Sequence, residues 1–256
     1  MSAYKPRTAL TIAGFDPSGG AGVLADARTF TAFGLEAVAA ITSITFQTPE
    51  KVFGALHQTA ETLCAQLEPL LESSNIVSSK TGMLPTKEIV LAVSRFFRDA
   101  DLPAPVIDPV INSSSGDALM ETEALTAFVE NLLPLGRVIT PNISEAETLS
   151  RNTISTEADM RTAAAKIRAL GARAVLIKGG HLEEQTEAID VLDDQGQVTV
   201  FRASRIPGAV LHGSGCVLSA AIAACLGNGM SLEQSVSEAK KFVLEALRNS
   251  LLEYRL

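Results

Sequence analysis

Basic charge, cysteine and long apolar runs are all scarce in this chain of 256 residues. Lysine and arginine number 21 against 29 aspartates and glutamates, giving a formal net charge of -8. With no basic run and no interleaving of aromatic and basic residues, nothing marks a nucleic-acid surface. The three cysteines, Cys64, Cys216 and Cys225, form neither a C-x-x-C pair nor a zinc-ligand spacing, so a disulfide framework and structural zinc are not expected and a reducing cytoplasm suits them. No stretch approaches the roughly 18 apolar residues of a membrane span, and the apolar part of MSAYKPRTALTIAG is too short for a secretory signal. A linker rich in Pro, Gly or Ser is missing too, as are repeats and low-complexity segments, so one domain over residues 1–256 is expected.

What is present is globular: 46% of residues are hydrophobic and 20% charged, typical of a soluble protein. Short β-branched apolar runs alternate with helix-like segments. Strands are expected at Thr8 to Gly14, Ala37 to Phe46, Ile76 to Lys80, Pro105 to Ile107, Arg137 to Thr140 and Arg173 to Lys178, with a shorter one near an edge at Lys51 to His57. Helices are expected between them, from Gly22, Ala60, Lys87, Glu121 and Glu157 and near Ser144. The pattern then changes to a hairpin, Ala188 to Leu192 and Gln197 to Phe201 about DDQG, followed by helices Cys216 to Leu226 and Ser231 to Leu251. Strands separated by helices imply right-handed crossovers, hence a three-layer α/β/α fold with a mainly parallel central sheet.

In such a sheet, ligands sit beyond the carboxyl ends of the strands. The first strand ends in Gly14-Phe15-Asp16-Pro17-Ser18-Gly19-Gly20-Ala21-Gly22, which lacks the Lys-Ser/Thr of a P-loop and the dinucleotide spacing. It reads as a tight turn or as a substrate cradle with Asp26, one turn into the helix, as a polar contact. Gln47 ends the second strand, where a primary amide can pair with the donor and acceptor of a heterocycle; it can equally face water. In Lys80-Thr81-Gly82-Met83, Met83 is either core or packed on a flat ring. Asp108, ending the fourth strand, suits Mg²⁺ or a turn. Asn142 and Glu145 lie three apart at a helix start, placed for a Mg²⁺-phosphate assembly or for a capping pair. Lys178, before two glycines, reaches phosphate oxygens or snorkels to the surface.

The stretch LHGSGCVLSAAIAACLGNG, residues 211–229, is where the chemistry is expected. Gly213 and Gly215 bracket Ser214, and the following helix is apolar on every side and so must be buried. Its start is an anion site. Cys216 in the first turn is expected to be biased toward thiolate, since such settings lower a cysteine pKa from about 8.5 to roughly 3.5 to 7.5. A tight turn followed by a small core residue is the plainer alternative.

AGFDPSGGAGVLAD, the Gln47 strand end, KTGM, the DPV of Asp108, TPNISEAE, LIKGG and HGSGCVLSAAIAA resemble, in order and spacing, the hydroxymethylpyrimidine and hydroxymethylpyrimidine-phosphate kinases of thiamine synthesis, within the ribokinase-like superfamily. The resemblance spans nearly the whole chain. It implies a ribokinase-like fold and transfer of the γ-phosphate of ATP to 4-amino-5-hydroxymethyl-2-methylpyrimidine, commonly followed by phosphorylation of the monophosphate. It also implies Mg²⁺, a cytoplasmic setting and a homodimer. Gly213, Ser214, Gly215 and Cys216 would form the anion hole, with Cys216 where sugar kinases place an aspartate base. Gly14, Ala21, Gln47, Met83 and Val110 would surround the pyrimidine with Asp26 nearby, Asp108 and Glu145 would manage Mg²⁺ with Asn142 in support, and Lys178 would hold the ATP phosphates.

Phe15, Thr81, Leu211, Val217 and the segment Ile206-Pro207-Gly208-Ala209-Val210 depart from the family pattern around the substrate mouth and nucleotide edge. They bear on substrate identity and on the second phosphorylation. Three alternatives stand beside this reading: a pyridoxal or pyridoxine kinase of the same superfamily; a cysteine hydrolase pairing Cys216 with His212, His57 or His181; and a non-catalytic vitamin or nucleotide sensor.

Overall fold

The computed structural model describes residues 5–48, 51–113, 116, 118–180, 187–206, 208 and 212–253. Nine strands form one sheet: β1 (Arg7–Phe15), β2 (Glu36–Gln47), β3 (Val52–His57), β4 (Asn75–Thr81), β5 (Val106–Ile107), β6 (Val138–Ile139), β7 (Ala174–Gly179), β8 (Glu187–Asp194) and β9 (Gln197–Ser204). The order is β3-β2-β1-β4-β5-β6-β7-β8-β9. Pairing is parallel from β2 to β7. It is antiparallel where β3 joins one edge and where β8 and β9 extend the other.

Helices cover both faces, because the central strands carry apolar residues at both alternating positions. Leu10 and Ile12 of β1, and Val175 and Ile177 of β7, pack with α2 (Ala60–Ser73), α3 (Lys87–Asp99), α4 (Thr122–Ala127), α5 (Ile143–Ser150) and α6 (Glu157–Ala169). Ala9, Ala174 and Leu176 face the opposite core with α1 (Gly22–Ala32), α7 (Ser214–Gly227) and α8 (Leu232–Glu253). The all-apolar helix is indeed buried: α7 touches α1, α8, β4 and β5, and Ala220, Ala221, Ala223 and Ala224 are small enough to let it lie between neighbours on several sides. The three-layer α/β/α expectation, with a mainly parallel sheet, therefore holds.

Local departures have local causes. The strands expected at Pro105 to Ile107 and Arg137 to Thr140 shrink to two residues each; Pro105 has no N–H to give a ladder. The helix expected from Glu121 to Leu132 is α-helical only to Ala127, then widens to a π-turn at Phe128–Leu132 and tightens to a 3-10 turn at Leu133–Leu135, where Pro134 lacks the donor needed to continue an α-helix. The DDQG hairpin forms with positive φ at both Gln195 and Gly196, the two-residue geometry that matches strand twist.

The sheet order reverses at β1, which is followed in the chain by β2 on one side and later by β4 on the other. Connections leaving in opposite directions open a crevice at the carboxyl ends of these strands. Phe30 on α1, wholly buried in the second core, fastens one wall of that crevice. Phe30→Ala should cost about 3 to 5 kcal/mol, measured as a lower midpoint in urea unfolding at unchanged slope.

Candidate active site

The glycine-rich turn after β1 is held in shape by Asp16. Its Oδ1 accepts from the Ser18 N–H at 2.8 Å and the Ser18 hydroxyl at 2.7 Å, and its Oδ2 accepts from the Ala21 N–H at 2.9 Å. Burial works to raise this carboxyl, but donors from Gln47, Ser18 and Ala21 together hold it below the usual aspartate value. His212 Nε2 lies 3.1 Å from Asp16 Oδ2, tying the turn before α7 to the turn after β1. The two turns interlock: Gly213 has φ 76°, and a Cβ there would stand 2.1 Å from the Gly20 carbonyl oxygen. Only glycine fits both the left-handed backbone and the close approach.

Alternating charges line the floor. Lys80, wholly buried on β4, lies 2.8 Å from both Asp26 oxygens, and the Thr11 hydroxyl donates to Asp26 Oδ2 at 2.6 Å. Burial opposes the Lys80 charge, but Asp26, Cys216 and Asp108 more than compensate and raise its pKa. Burial pushes the Asp26 carboxyl up against the pull of Lys80. The expectation that Asp26 contacts substrate is corrected here. It is fully buried and off the cleft wall, with its oxygens committed to Lys80 and Thr11.

Next along the floor, Asp108 Oδ1 accepts from Lys178 Nζ at 2.9 Å and from the Thr140 hydroxyl at 3.2 Å, while Oδ2 accepts from the Ser219 hydroxyl of α7 at 3.1 Å. Burial raises Asp108, yet Lys178 and Lys80 outweigh it and the carboxyl sits below its ordinary value. Asn142 and Glu145 form the capping box that opens α5: Asn142 Oδ1 accepts from the Glu145 N–H at 2.9 Å, and Glu145 Oε2 from the Asn142 N–H at 2.8 Å. Both still face the cleft. Burial, with Asp108 adding to it against Lys178, pushes Glu145 up to about 7.

At the start of α7 no side chain caps the helix, so its first amides depend on whatever enters the cleft. A Cβ on Gly215 would lie 3.0 Å from Lys178 Nζ, which shows how closely this turn approaches the lysine. The expected bias of Cys216 toward thiolate is overturned. Burial is the largest influence and, with Asp108 and Asp26 behind it, pushes the thiol up despite Lys80 and the Gly22 N–H.

One cleft of about 680 Å³ gathers these groups. Gly14, Ala21, Gln47, Met83 and Val110 line one part of it. Asp108, Asn142, Glu145 and Lys178 line the floor, beside Gly213, Ser214, Gly215 and Cys216. Sequence reasoning passed over Asp16, Lys80 and Ser219 as site residues and considered His212 only as a partner of Cys216 in a hydrolase. A lysine inside a buried strand must have a carboxylate partner, and Asp-Pro-Ser is an Asx-turn signal; both clues were in view. Of the histidines named for the hydrolase alternative, His57 is bonded to Ser43 at 3.0 Å and His212 to Asp16; His181, like Leu211, lies outside the described residues.

Among the described residues no cluster of three or more His, Cys, Asp or Glu side chains is placed to hold a metal. Asp108 and Glu145 both line the cleft, and Glu145, raised by burial and by the neighbouring Asp108 carboxylate, marks a place where added positive charge is favourable. Such a set fits Mg²⁺, which takes one or two carboxylates and completes its shell with water and phosphate oxygens.

The family model for phosphomethylpyrimidine kinase matches residues 16–253. A hydroxymethylpyrimidine/phosphomethylpyrimidine kinase from Rhizobium meliloti is 41% identical over 240 residues, 93% of this chain and 90% of the relative. The crystal structure of a phosphomethylpyrimidine kinase from Clostridium difficile superposes with TM-score 0.83 at 34% identity, covering 94% of this chain and 99% of that one. A pyridoxal kinase from Staphylococcus aureus, in complex with AMP-PCP and pyridoxal, gives TM-score 0.86 at 32% identity over 95% of this chain and 89% of that one. With a family match from the first turn to α8 and relatives of this identity over almost its whole length, the chain belongs to the phosphomethylpyrimidine kinase family and is a phosphotransferase.

Proposed function

We propose that the protein transfers the γ-phosphate of ATP to the hydroxymethyl group of 4-amino-5-hydroxymethyl-2-methylpyrimidine and then phosphorylates the monophosphate, serving thiamine synthesis. The observation that carries this reading is the convergence in one cleft of a heterocycle cradle, a lysine, two carboxylates and an uncapped helix start. Because all nine strands share one sheet, residues 1–256 are read as one kinase domain.

Each group has a task in this reading. Gly14, Ala21, Gln47, Met83 and Val110 enclose the pyrimidine. Gln47 is also tied to Asp16, so its amide is held in one orientation and can read a ring amine or nitrogen. The cleft is also lined by Ala188, Ala203, Ile206, Val243 and Leu244, among which stands the Lys240–Asp190 ion pair; the apolar members suit the flat base of ATP. Lys178 steers the phosphates as a point charge, and the amides of Gly213 to Cys216 stabilise charge on the transferring group. Asp108 and Glu145 would hold Mg²⁺, with Asn142 fixing Glu145; the ion would neutralise phosphate charge and that of Asp108.

Phosphoryl transfer depends mostly on positioning and charge stabilisation, and proton removal from the alcohol comes late in a loose transition state. Cys216 is read as the acceptor of that proton. Positive charge gathered around the thiol would favour the thiolate that takes it. The S. aureus likeness favours a second reading, in which the acceptor is pyridoxal. A homodimer is supported by an apolar patch on one face of the β2–β3 edge, where Ile44 pairs with Leu56 across the strands and Phe46 is 53% exposed.

Cys216→Ala should lower turnover by about 10² to 10⁴ with an unchanged circular dichroism spectrum; near wild-type turnover would remove Cys216 from the chemistry. An acceptor panel followed by ADP release should show saturable activity on hydroxymethylpyrimidine and its monophosphate. Activity confined to pyridoxal would replace the first reading by the second. Phe46→Asp should shift the sedimentation velocity from dimer to monomer, and an unaltered dimer would place the interface elsewhere.

A further inference from the structure

In the wall of the cleft stands an ion pair that the transfer reaction leaves without a task. Lys240 of α8 reaches to the β8–β9 hairpin, where its Nζ donates to Asp190 Oδ2 at 2.5 Å, to the Ala188 carbonyl at 3.2 Å and to the Phe201 carbonyl at 3.4 Å. An ammonium carries three hydrogens, so all of them are spent on the hairpin. Asp190 is engaged on its other side as well. Its Oδ1 accepts from the Gly179 N–H at 3.0 Å, at the end of β7 and directly after Lys178. The two side chains are only 12% and 9% exposed, yet both residues line the cleft. Stability does not call for such a pair, since apolar residues of similar volume serve a core as well or better.

We infer that Lys240 and Asp190 are a positioning pair for the nucleotide: Lys240 neutralises and anchors Asp190, and Asp190 fixes the backbone from which Lys178 reaches the phosphates. This rests on reading the apolar part of the cleft around them as the seat of the ATP base. Lys240, Val243 and Leu244 lie three and four residues apart, hence on one face of α8, while Ala188 pairs with Ala203 across the hairpin. All of these residues line the cleft. The slot for the base therefore has α8 on one side and the hairpin on the other, and Lys240 joins the two. Its partner matters for the phosphates. A bare carboxylate at position 190 would repel a polyanion, whereas a neutralised one can stand in the wall. The end of β7 is set closely against β8, since a Cβ on Gly179 would lie 2.0 Å from the Ile189 carbonyl oxygen. With the Gly179 N–H given to Asp190, that strand end, and Lys178 with it, takes its place from the pair. Lys240 has no hydrogen to spare for ATP, so the pair acts through Lys178 and through the width of the slot.

The test is calorimetric titration of the full chain with ADP in the presence of Mg²⁺ and, separately, with its acceptor, hydroxymethylpyrimidine or pyridoxal. It compares wild type, Lys240→Met, and Lys240→Met combined with Asp190→Asn. Lys240→Met leaves the carboxylate bare, and ADP should bind about 10- to 100-fold more weakly, the loss typical when a group supporting a ligand contact is removed, with acceptor affinity unchanged. Asparagine at 190 carries no charge and still offers an oxygen to the Gly179 N–H, so the double variant should return most of the way to wild type. A double variant as weak as Lys240→Met would mean that Lys240 meets the nucleotide itself, and overturns the inference. Equal weakening toward ADP and acceptor, the mark of a loosened fold, overturns it too. If Lys240→Met does not fold, Lys240→Met combined with Asp190→Ala is set against the asparagine double variant. Both lack the charges, but alanine offers Gly179 no acceptor, so ADP should bind it more weakly; equal affinities overturn the inference. Wild type that takes up its acceptor but no ADP removes the nucleotide reading and the inference with it, whereas ADP affinity alike in wild type and all variants removes the inference alone.

Discussion

The cleft depends on a line of buried charges that neutralise one another in pairs. Asp26 with Lys80, then Asp108 with Lys178, run along the carboxyl ends of β1, β4, β5 and β7. Each charge alone would be strongly unfavourable in a water-poor interior; paired and hydrogen-bonded, it is tolerated. Thr11, Thr140 and Ser219 complete the partners of the carboxylates, which ties α7 to the same line. Phosphate chemistry needs positive charge that is fixed before the substrate arrives, and the pairing provides it within an acidic protein.

Much of the fold was legible because periodicity reports burial directly. Strands such as β1 and β7, covered on both faces, are buried at nearly every position and mostly apolar, and α7 is apolar all round because neighbours surround it. The two-residue strands β5 and β6 were overextended, since an apolar pair beside proline looks like the remnant of a longer run. The π-turn at Phe128–Leu132 leaves no mark on composition, because it follows from how the chain reaches Pro134.

The site was legible in its motifs and not in its couplings. Gly213 to Cys216, Asp108, Glu145 and Lys178 stand at strand or helix ends, where position alone indicates what they face. Asp26 was misplaced because a carboxylate one turn into a helix gives no hint of whether it meets a ligand or a lysine 54 residues away. The direction at Cys216 was not legible for a related reason: a helix start is visible in a sequence, whereas the desolvation and the Asp108 and Asp26 charges that push the thiol up depend on what the fold brings around it. Asn142 and Glu145 show the converse, since capping and facing the cleft are compatible and both occur.

The bond between Asp16 and His212 joins residues 196 apart. The glycine-rich turn after β1 and the turn that opens α7 are therefore two halves of one object, contributed by the first and last quarters of the chain. The first of these turns leaves the ribosome long before the second, so the cleft they share is closed only when α7 emerges, after every parallel strand has been laid down.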